Sequence, residues 1–147
     1  MTGYEQLDLD LQLCFPLYAV SRAITTRYGQ LLGEVGLTYP QYLVMLALWE
    51  ANTMTVGELG ERLRLDSGTL SPLLKRLQAA GLVDRRRDPA DERRVQVQPT
   101  PAGWQLREAV AHVPAAIAAA MGLDTETYLD LKQRLAGMLC SLDLDVP

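Results

Sequence analysis

Apolar positions along this chain change their period several times, and each change marks an element. Residues 7–13 alternate, with Leu7, Leu9, Leu11 and Leu13 set against acidic or amide residues. That pattern fits either a strand or a loose lead-in segment. From Leu17 the spacing lengthens to Leu17, Val20, Ile24 and Tyr28, which is helical, with Pro16 in the first turn where its missing N–H costs nothing. The Gly33–Gly36 region ends that helix. Residues Pro40–Ala51 are apolar on most sides and predict a buried second helix, for which Thr38 is a better cap than Tyr39.

Two shorter helices follow. Thr55 and Glu58 form a capping box that starts a helix through about Leu63. The run Asp66-Ser67-Gly68-Thr69 starts another, which stops at Gly81. Residues 82–86 mix apolar and charged groups and lead to the turn Asp88-Pro89-Ala90-Asp91; Arg94–Gln98 then alternate with period two, so a β-hairpin is predicted. Thr100-Pro101 opens a long helix from Ala102 to about Met121, with Pro114 as a kink. A last helix begins at Asp124 or Thr125, with Leu129, Leu131, Leu135, Met138, Leu139 and Leu142 on its inward face.

The predicted fold is mainly α: one domain over residues 1–147, with a winged helix-turn-helix and its single β-hairpin wing at 53–99. Long helices at 1–35 and 100–147 flank it, and they are more apolar than one small subunit needs. Dimerisation through both ends, as a homodimer, is the natural use of that surface.

Composition narrows the function. A chain of 147 residues that is 48% apolar and 22% charged is a globular domain. Cys14 and Cys140 are too few and too far apart for a secreted disulfide scaffold. No run of eighteen apolar residues exists, which excludes a membrane span, and the first ten residues lack the basic-then-apolar pattern of a signal peptide. A cytoplasmic protein is expected. His112 is the only histidine, so neither a His-based metal site nor Ser-His catalysis has material to build on, and no cofactor is expected.

The net charge of −4 conceals a segregation. Residues 62–94 hold nine basic and five acidic residues, or +4, and the remainder of the chain carries −8. A basic middle on an acidic body is the electrostatic footprint of a polyanion-binding face, although charge runs by themselves are more often solvated surface. Its placement favours double-stranded DNA. Ser67, Thr69 and Ser71 open the second helix of the helix-turn-helix, where small hydroxyls approach bases and phosphates; Lys75 and Arg76 follow as phosphate contacts. The plain alternative for Ser67 and Thr69 is helix capping. On the hairpin, Arg85, Arg86 and Arg87 lie on one strand and Arg93 and Arg94 across the turn. Asp91 is placed to orient a guanidinium through a bidentate pair, leaving Arg93 or Arg94 to enter the minor groove.

Cys14, two residues before Pro16, falls at the positive end of a long helix dipole, which favours the thiolate and reactivity toward peroxides. Most lone cysteines are inert, buried thiols. Here Tyr28 on the same helix and Tyr39, at the start of the next, offer phenolic donors that a thiolate can accept. Cys140, among Met138, Leu139 and Leu142, reads as a buried structural thiol.

The pattern GxLxxxLxRLxxxGLVxR over Gly68–Arg85, joined to Asp91-x-Arg93 and then Thr100-Pro101-Ala102-Gly103, resembles the MarR family of dimeric bacterial transcription regulators over nearly the whole chain. The stretch from Leu13 to Glu50, with LDSGTLSPLLKRLQAAGLV, resembles its organic hydroperoxide resistance branch. The resemblance implies a repressor that holds operator DNA when reduced and releases it when an organic hydroperoxide oxidises Cys14. It implies that Tyr28 and Tyr39 hydrogen-bond that cysteine, with Tyr18 a further aromatic close by. A resolving cysteine, as some members have, would fall near Ala118–Ala120, where this chain has none. The oxidised cysteine is therefore expected to end as a mixed disulfide with a low-molecular-weight thiol, or overoxidised. Two other readings stand beside this one: a repressor responding to a small aromatic ligand, and a thiol peroxidase.

Overall fold

In the computed structural model, which describes residues 3–144, the alternating leucines at the start lie on two short 3-10 turns, Glu5–Leu7 and Leu9–Leu11. No strand forms there, so the segment is a lead-in to the first helix. Helix α1 (Cys14–Leu32) begins three residues before the apolar period does, because Leu13 is already helical and its carbonyl accepts from the Leu17 N–H. Pro16 sits within that first turn. A 3-10 turn at Gly33–Val35 follows.

Helix α2 (Tyr39–Ala51) starts on a capping box: Thr38 Oγ1 accepts from the Gln41 N–H, and Gln41 Oε1 accepts from the Thr38 N–H at 2.9 Å. Gln41 is buried, and this bond satisfies its polar head. Strand β1 (Met54–Thr55) leads into α3 (Val56–Leu63), whose predicted Thr55–Glu58 box forms with both bonds present. Helix α4 (Ser67–Ala79) is capped by Asp66, whose Oδ1 accepts from the Thr69 N–H at 2.7 Å.

Strands β2 (Val83–Arg87) and β3 (Val95–Pro99) form the hairpin, with Arg85 opposite Val97 and Arg87 opposite Val95. The sheet has a third strand that the periodicity did not predict. Two residues of β1 pair antiparallel with β3, giving the order β1-β3-β2 and making β3 the central strand. The wing is thereby anchored to the start of α3.

The single kinked helix expected at 102–121 is two helices, α5 (Pro101–Val110) and α6 (Val113–Met121). Pro114 has no N–H to offer the Val110 carbonyl, and its ring occupies the space that carbonyl would need, so α5 ends at Val110. Helix α7 (Thr125–Leu144) is capped by Asp124, which accepts from the Thr127 N–H.

The chain divides at Val113/Pro114 into two compact units. In the first, the core gathers Leu32, Tyr42, Met45 and Leu48 with Leu59, Leu70, Leu74, Leu77, Val83 and Val97, all nearly inaccessible. Gly103 closes this core. A Cβ there would overlap the Leu82 carbonyl oxygen, and the Gly103 carbonyl accepts from Trp49 Nε1 at 3.0 Å, fixing α5 to α2. In the second unit the leucines of α7 do not face inward as expected. Leu129, Leu131, Leu135, Met138, Leu139 and Leu142 are all exposed, and so is Cys140, which was expected to be buried among them; Leu7, Leu9, Leu11, Leu13 and Val20 are exposed in the first unit. An apolar period shows that a face wants an apolar neighbour, not that the neighbour belongs to the same chain. No single helix among the described residues is long and apolar enough to cross a membrane.

Candidate nucleic-acid interface and thiol site

Helix α4 buries Leu70, Leu73, Leu74 and Leu77, the i, i+3, i+4, i+7 stripe, against the core. By helical geometry Gly68, Pro72 and Lys75 then point the opposite way, with Ser71 and Arg76 beside them. Ser67, Thr69, Ser71, Lys75 and Arg76 are all exposed. Because Asp66 supplies the cap, the hydroxyl of Ser67 is not spent on it.

The wing is braced against both helices of the helix-turn-helix. Arg85 Nε donates to Gln78 Oε1 at 2.8 Å, tying β2 to α4. Arg94 reaches Glu58 Oε1 at 3.7 Å, while the other oxygen of Glu58 accepts from the Thr55 N–H. The Thr55 bonds first, and the Arg94 charge after them, hold the Glu58 carboxyl below its ordinary range. The Thr69 N–H does the same for Asp66. Alternation along β2 sends Arg86 to the face opposite Arg85 and Arg87.

At the wing tip the two arginines separate. Asp91 Oδ1 accepts from both the Arg93 N–H (3.1 Å) and Arg93 Nε (3.3 Å), and Asp88 Oδ1 accepts from the Ala90 N–H. The expected bidentate pair is therefore replaced by one carboxylate oxygen taking two donors. Arg93, with 92% of its side chain exposed, projects from the tip; Arg94 stays at the base on Glu58. Between α3, the start of α4 and the wing lies an open cleft of about 840 Å³ that includes Arg64, Ser67, Ser71, Arg85, Arg93 and Arg94. Arg64, which charge alone marks as one of nine basic residues in 62–94, lines this cleft in a left-handed conformation, φ 55°.

The thiol residues are distributed differently. Cys14 is a free, exposed thiol on the first residue of α1. Tyr18, one turn along the same face, accepts from Arg22 Nη1 at 3.1 Å, and that guanidinium lies 5.5 Å from its ring centroid. Tyr28 and Tyr39 do come together, stacked with centroids 4.2 Å apart, and Tyr42 stands behind Tyr28 at 5.8 Å. Burial pushes the Tyr39 and Tyr42 hydroxyls above the usual tyrosine value, with their mutual repulsion adding to the second. Within one chain, however, this pair is remote from Cys14. Fourteen residues at 1.5 Å rise place Tyr28 about 21 Å along α1 from the thiol. Among the described residues no group of three His, Cys, Asp or Glu is placed to hold a metal.

Residues 37–95, the helix-turn-helix and most of the wing, match the MarR family. The organic hydroperoxide resistance transcriptional regulator of Bacillus subtilis is 44% identical over 95% of this chain and 93% of its own length. The chain belongs to the MarR family. It is a DNA-binding transcriptional regulator and not an enzyme. Its backbone is similar to that of reduced AbfR bound to DNA, with a TM-score of 0.79 and 40% identity over 94% of this chain and 96% of that one. Overoxidised AbfR bound to DNA is similar too, at a TM-score of 0.74 and 41% identity over 92% and 97%. In this MarR-family chain the winged helix-turn-helix assembles the basic residues of α4 and the wing on one unit, whereas Cys14 with Tyr18 lies at the start of α1 and the Tyr28–Tyr39 pair lies toward its other end.

Proposed function

We propose that this MarR-family regulator is a cytoplasmic, homodimeric repressor that holds operator DNA while Cys14 is reduced and releases it when an organic hydroperoxide oxidises that thiol. The observation that carries the reading is the position of Cys14: an exposed thiol on the first turn of a nineteen-residue helix whose apolar flank, from Leu13 through Val20, is uncovered. The likeness to the B. subtilis regulator supports it.

Because Tyr28 and Tyr39 lie about 21 Å from Cys14 on their own chain, they reach a cysteine only on a second copy. The uncovered apolar residues of 1–35 and of α7 supply the surface for that pairing, and residues 100–147 join residues 1–35 as the dimerising part of one domain around the reading head at 53–99. Each phenol then donates its O–H to the partner's Cys14 sulfur. Burial moves the Tyr39 hydroxyl further from the titration range of neutral solution, so it stays a donor.

In the chemical step the sulfur attacks the terminal peroxide oxygen and the O–O bond breaks. The thiol is oxidised to a sulfenic acid while the hydroperoxide is reduced to its alcohol, which takes up the remaining proton. A low-molecular-weight thiol then displaces water from the sulfenic acid to give a mixed disulfide. Oxidation changes the acceptor that two phenols per site bond to, a change of about 0.5–1.5 kcal/mol for each hydrogen bond lost. That magnitude suffices to bias a dimer between two spacings of its α4 helices. Overoxidised AbfR is found on DNA, so the mixed disulfide, and not overoxidation, is assigned as the releasing form here. On the DNA, Ser67, Thr69 and Ser71 approach base edges, Lys75, Arg76, Arg86 and Arg87 take phosphates, and Arg93, aimed by Asp91, enters the minor groove; Arg85 and Arg94 hold the wing. A gel shift on duplex from upstream of its own coding sequence, with and without cumene hydroperoxide, tests the proposal. Release by the oxidant is expected, and binding that persists contradicts it. The same shift with salicylate covers the small-ligand reading, for which the cleft beside α4 is the available space.

A further inference from the structure

Arg64 occupies a backbone position that does not suit it. Helix α3 ends in a pattern in which the Leu65 N–H bonds the Gly60 carbonyl at 2.9 Å and the Arg64 N–H bonds that of Glu61 at 3.4 Å. This closing motif places the residue after the helix in the left-handed region, where glycine is the usual occupant because any Cβ is crowded there. Arg64 has φ 55° and ψ 42°. The turn is tight as well: a Cβ on Gly60 would sit 2.9 Å from the Leu65 carbonyl oxygen, so the sequence supplies glycine where the chain closes and an arginine where glycine would be easier. A long cation kept at such a position is a local conflict of the sort that marks functional residues.

Its surroundings say which function. Arg64 is exposed and lines the cleft shared with Ser67 and Ser71 at the start of α4 and with Arg93 and Arg94 from the wing. The turn of a helix-turn-helix stands beside the phosphate backbone that its first helix crosses. We infer that Arg64 is a DNA-contacting residue of this regulator, clamping a backbone phosphate at the edge of the major groove that α4 enters, and that its left-handed backbone aims the guanidinium there. The inference depends only on DNA binding and not on the redox reading.

The test is Arg64→Gly, which suits the backbone and removes the cation, alongside Arg64→Lys, which keeps charge and strain. Binding of the reduced protein to its upstream duplex and to a random duplex is followed by fluorescence anisotropy from 50 to 300 mM salt, with circular dichroism as the folding control. Arg64→Gly is expected to retain the helical spectrum, to lose about tenfold in affinity on both duplexes and to lower the slope of log K against log salt by about 1. Arg64→Lys should keep the slope. Unchanged affinity and slope in the glycine variant overturn the inference. So does a loss confined to the upstream duplex, which would make Arg64 a base reader.

Discussion

Removing the Asp91 carboxylate separates the wing's stability from its aim. In the fold, one oxygen of Asp91 fixes Arg93 through its backbone N–H at 3.1 Å and its Nε at 3.3 Å, with the guanidinium end almost wholly in solvent. An ion pair so exposed contributes about 0–1 kcal/mol to folding. Asp91→Ala should thus lower the melting temperature by no more than about 4 °C for a chain of this size. The cost on DNA is different in kind. Arg93→Ala loses the minor-groove contact itself, about 1–3 kcal/mol, or roughly fivefold to 150-fold on the specific duplex. Asp91→Ala keeps the arginine but frees it, so binding must order it again; a part of the approximately 2 kcal/mol of rotamer entropy that a long side chain carries then appears as about threefold to tenfold weaker binding. The double variant should match Arg93→Ala in affinity, since Asp91 then holds only the backbone N–H of residue 93 and has no guanidinium to aim. Anisotropy titrations on upstream and random duplexes, with thermal melts, give all of these quantities. Additive losses in the double variant, or an equal fall in affinity on both duplexes for Arg93→Ala, would refute the assignment of aim to Asp91 and reading to Arg93.

Gly103→Ala forces a methyl into the Leu82 carbonyl and should destabilise the fold by about 1–3 kcal/mol, read as a lower urea midpoint; an unchanged midpoint would show that α5 moves freely. Tyr39 titrates above its unfolded value of about 10, so its contribution to stability is complete below pH 10 and lost as pH rises through the folded value. Tyr39→Phe should therefore show a smaller drop in melting temperature between pH 9 and 11 than the parent does, and an identical drop contradicts the burial assigned to that hydroxyl. On α7, Leu135→Asp with Leu139→Asp places charges on the uncovered apolar face and should raise the dimer dissociation constant over a hundredfold, from about 3 kcal/mol or more of lost burial; sedimentation that still gives a dimer at micromolar concentration would exclude α7 from the interface.

What could be read in the sequence was what is local. The Thr55 cap forms as its spacing predicts, and Asp66 and Asp124, each one of the starts that the sequence left open, also cap by bonding the residue three positions on. The hairpin and its turn follow from alternation and from Asp88 and Asp91. Strand β1 was not legible, since two residues become a strand only because β3 lies beside them. The face of α7 misled for another reason: an apolar stripe has the same period whether or not the surface that covers it belongs to the same chain. Of the expected thiol site only the Tyr28–Tyr39 pairing forms within one chain, because helix rise parts Cys14 from Tyr28, a separation that residue types alone do not reveal. The sequence sets Arg85 among the DNA-binding arginines of the wing, and only the fold brings Gln78 within 2.8 Å of it.

The central claim, that Cys14 alone switches the DNA-binding state, is tested most directly by titrating labelled upstream duplex with parent, Cys14→Ser and Cys140→Ser proteins, before and after treatment with cumene hydroperoxide and a small thiol such as cysteine. The account predicts equal affinity of all three when reduced, with oxidant-driven release in the parent and in Cys140→Ser but not in Cys14→Ser. Release of DNA by oxidised Cys14→Ser, or loss of the response in Cys140→Ser, would contradict it.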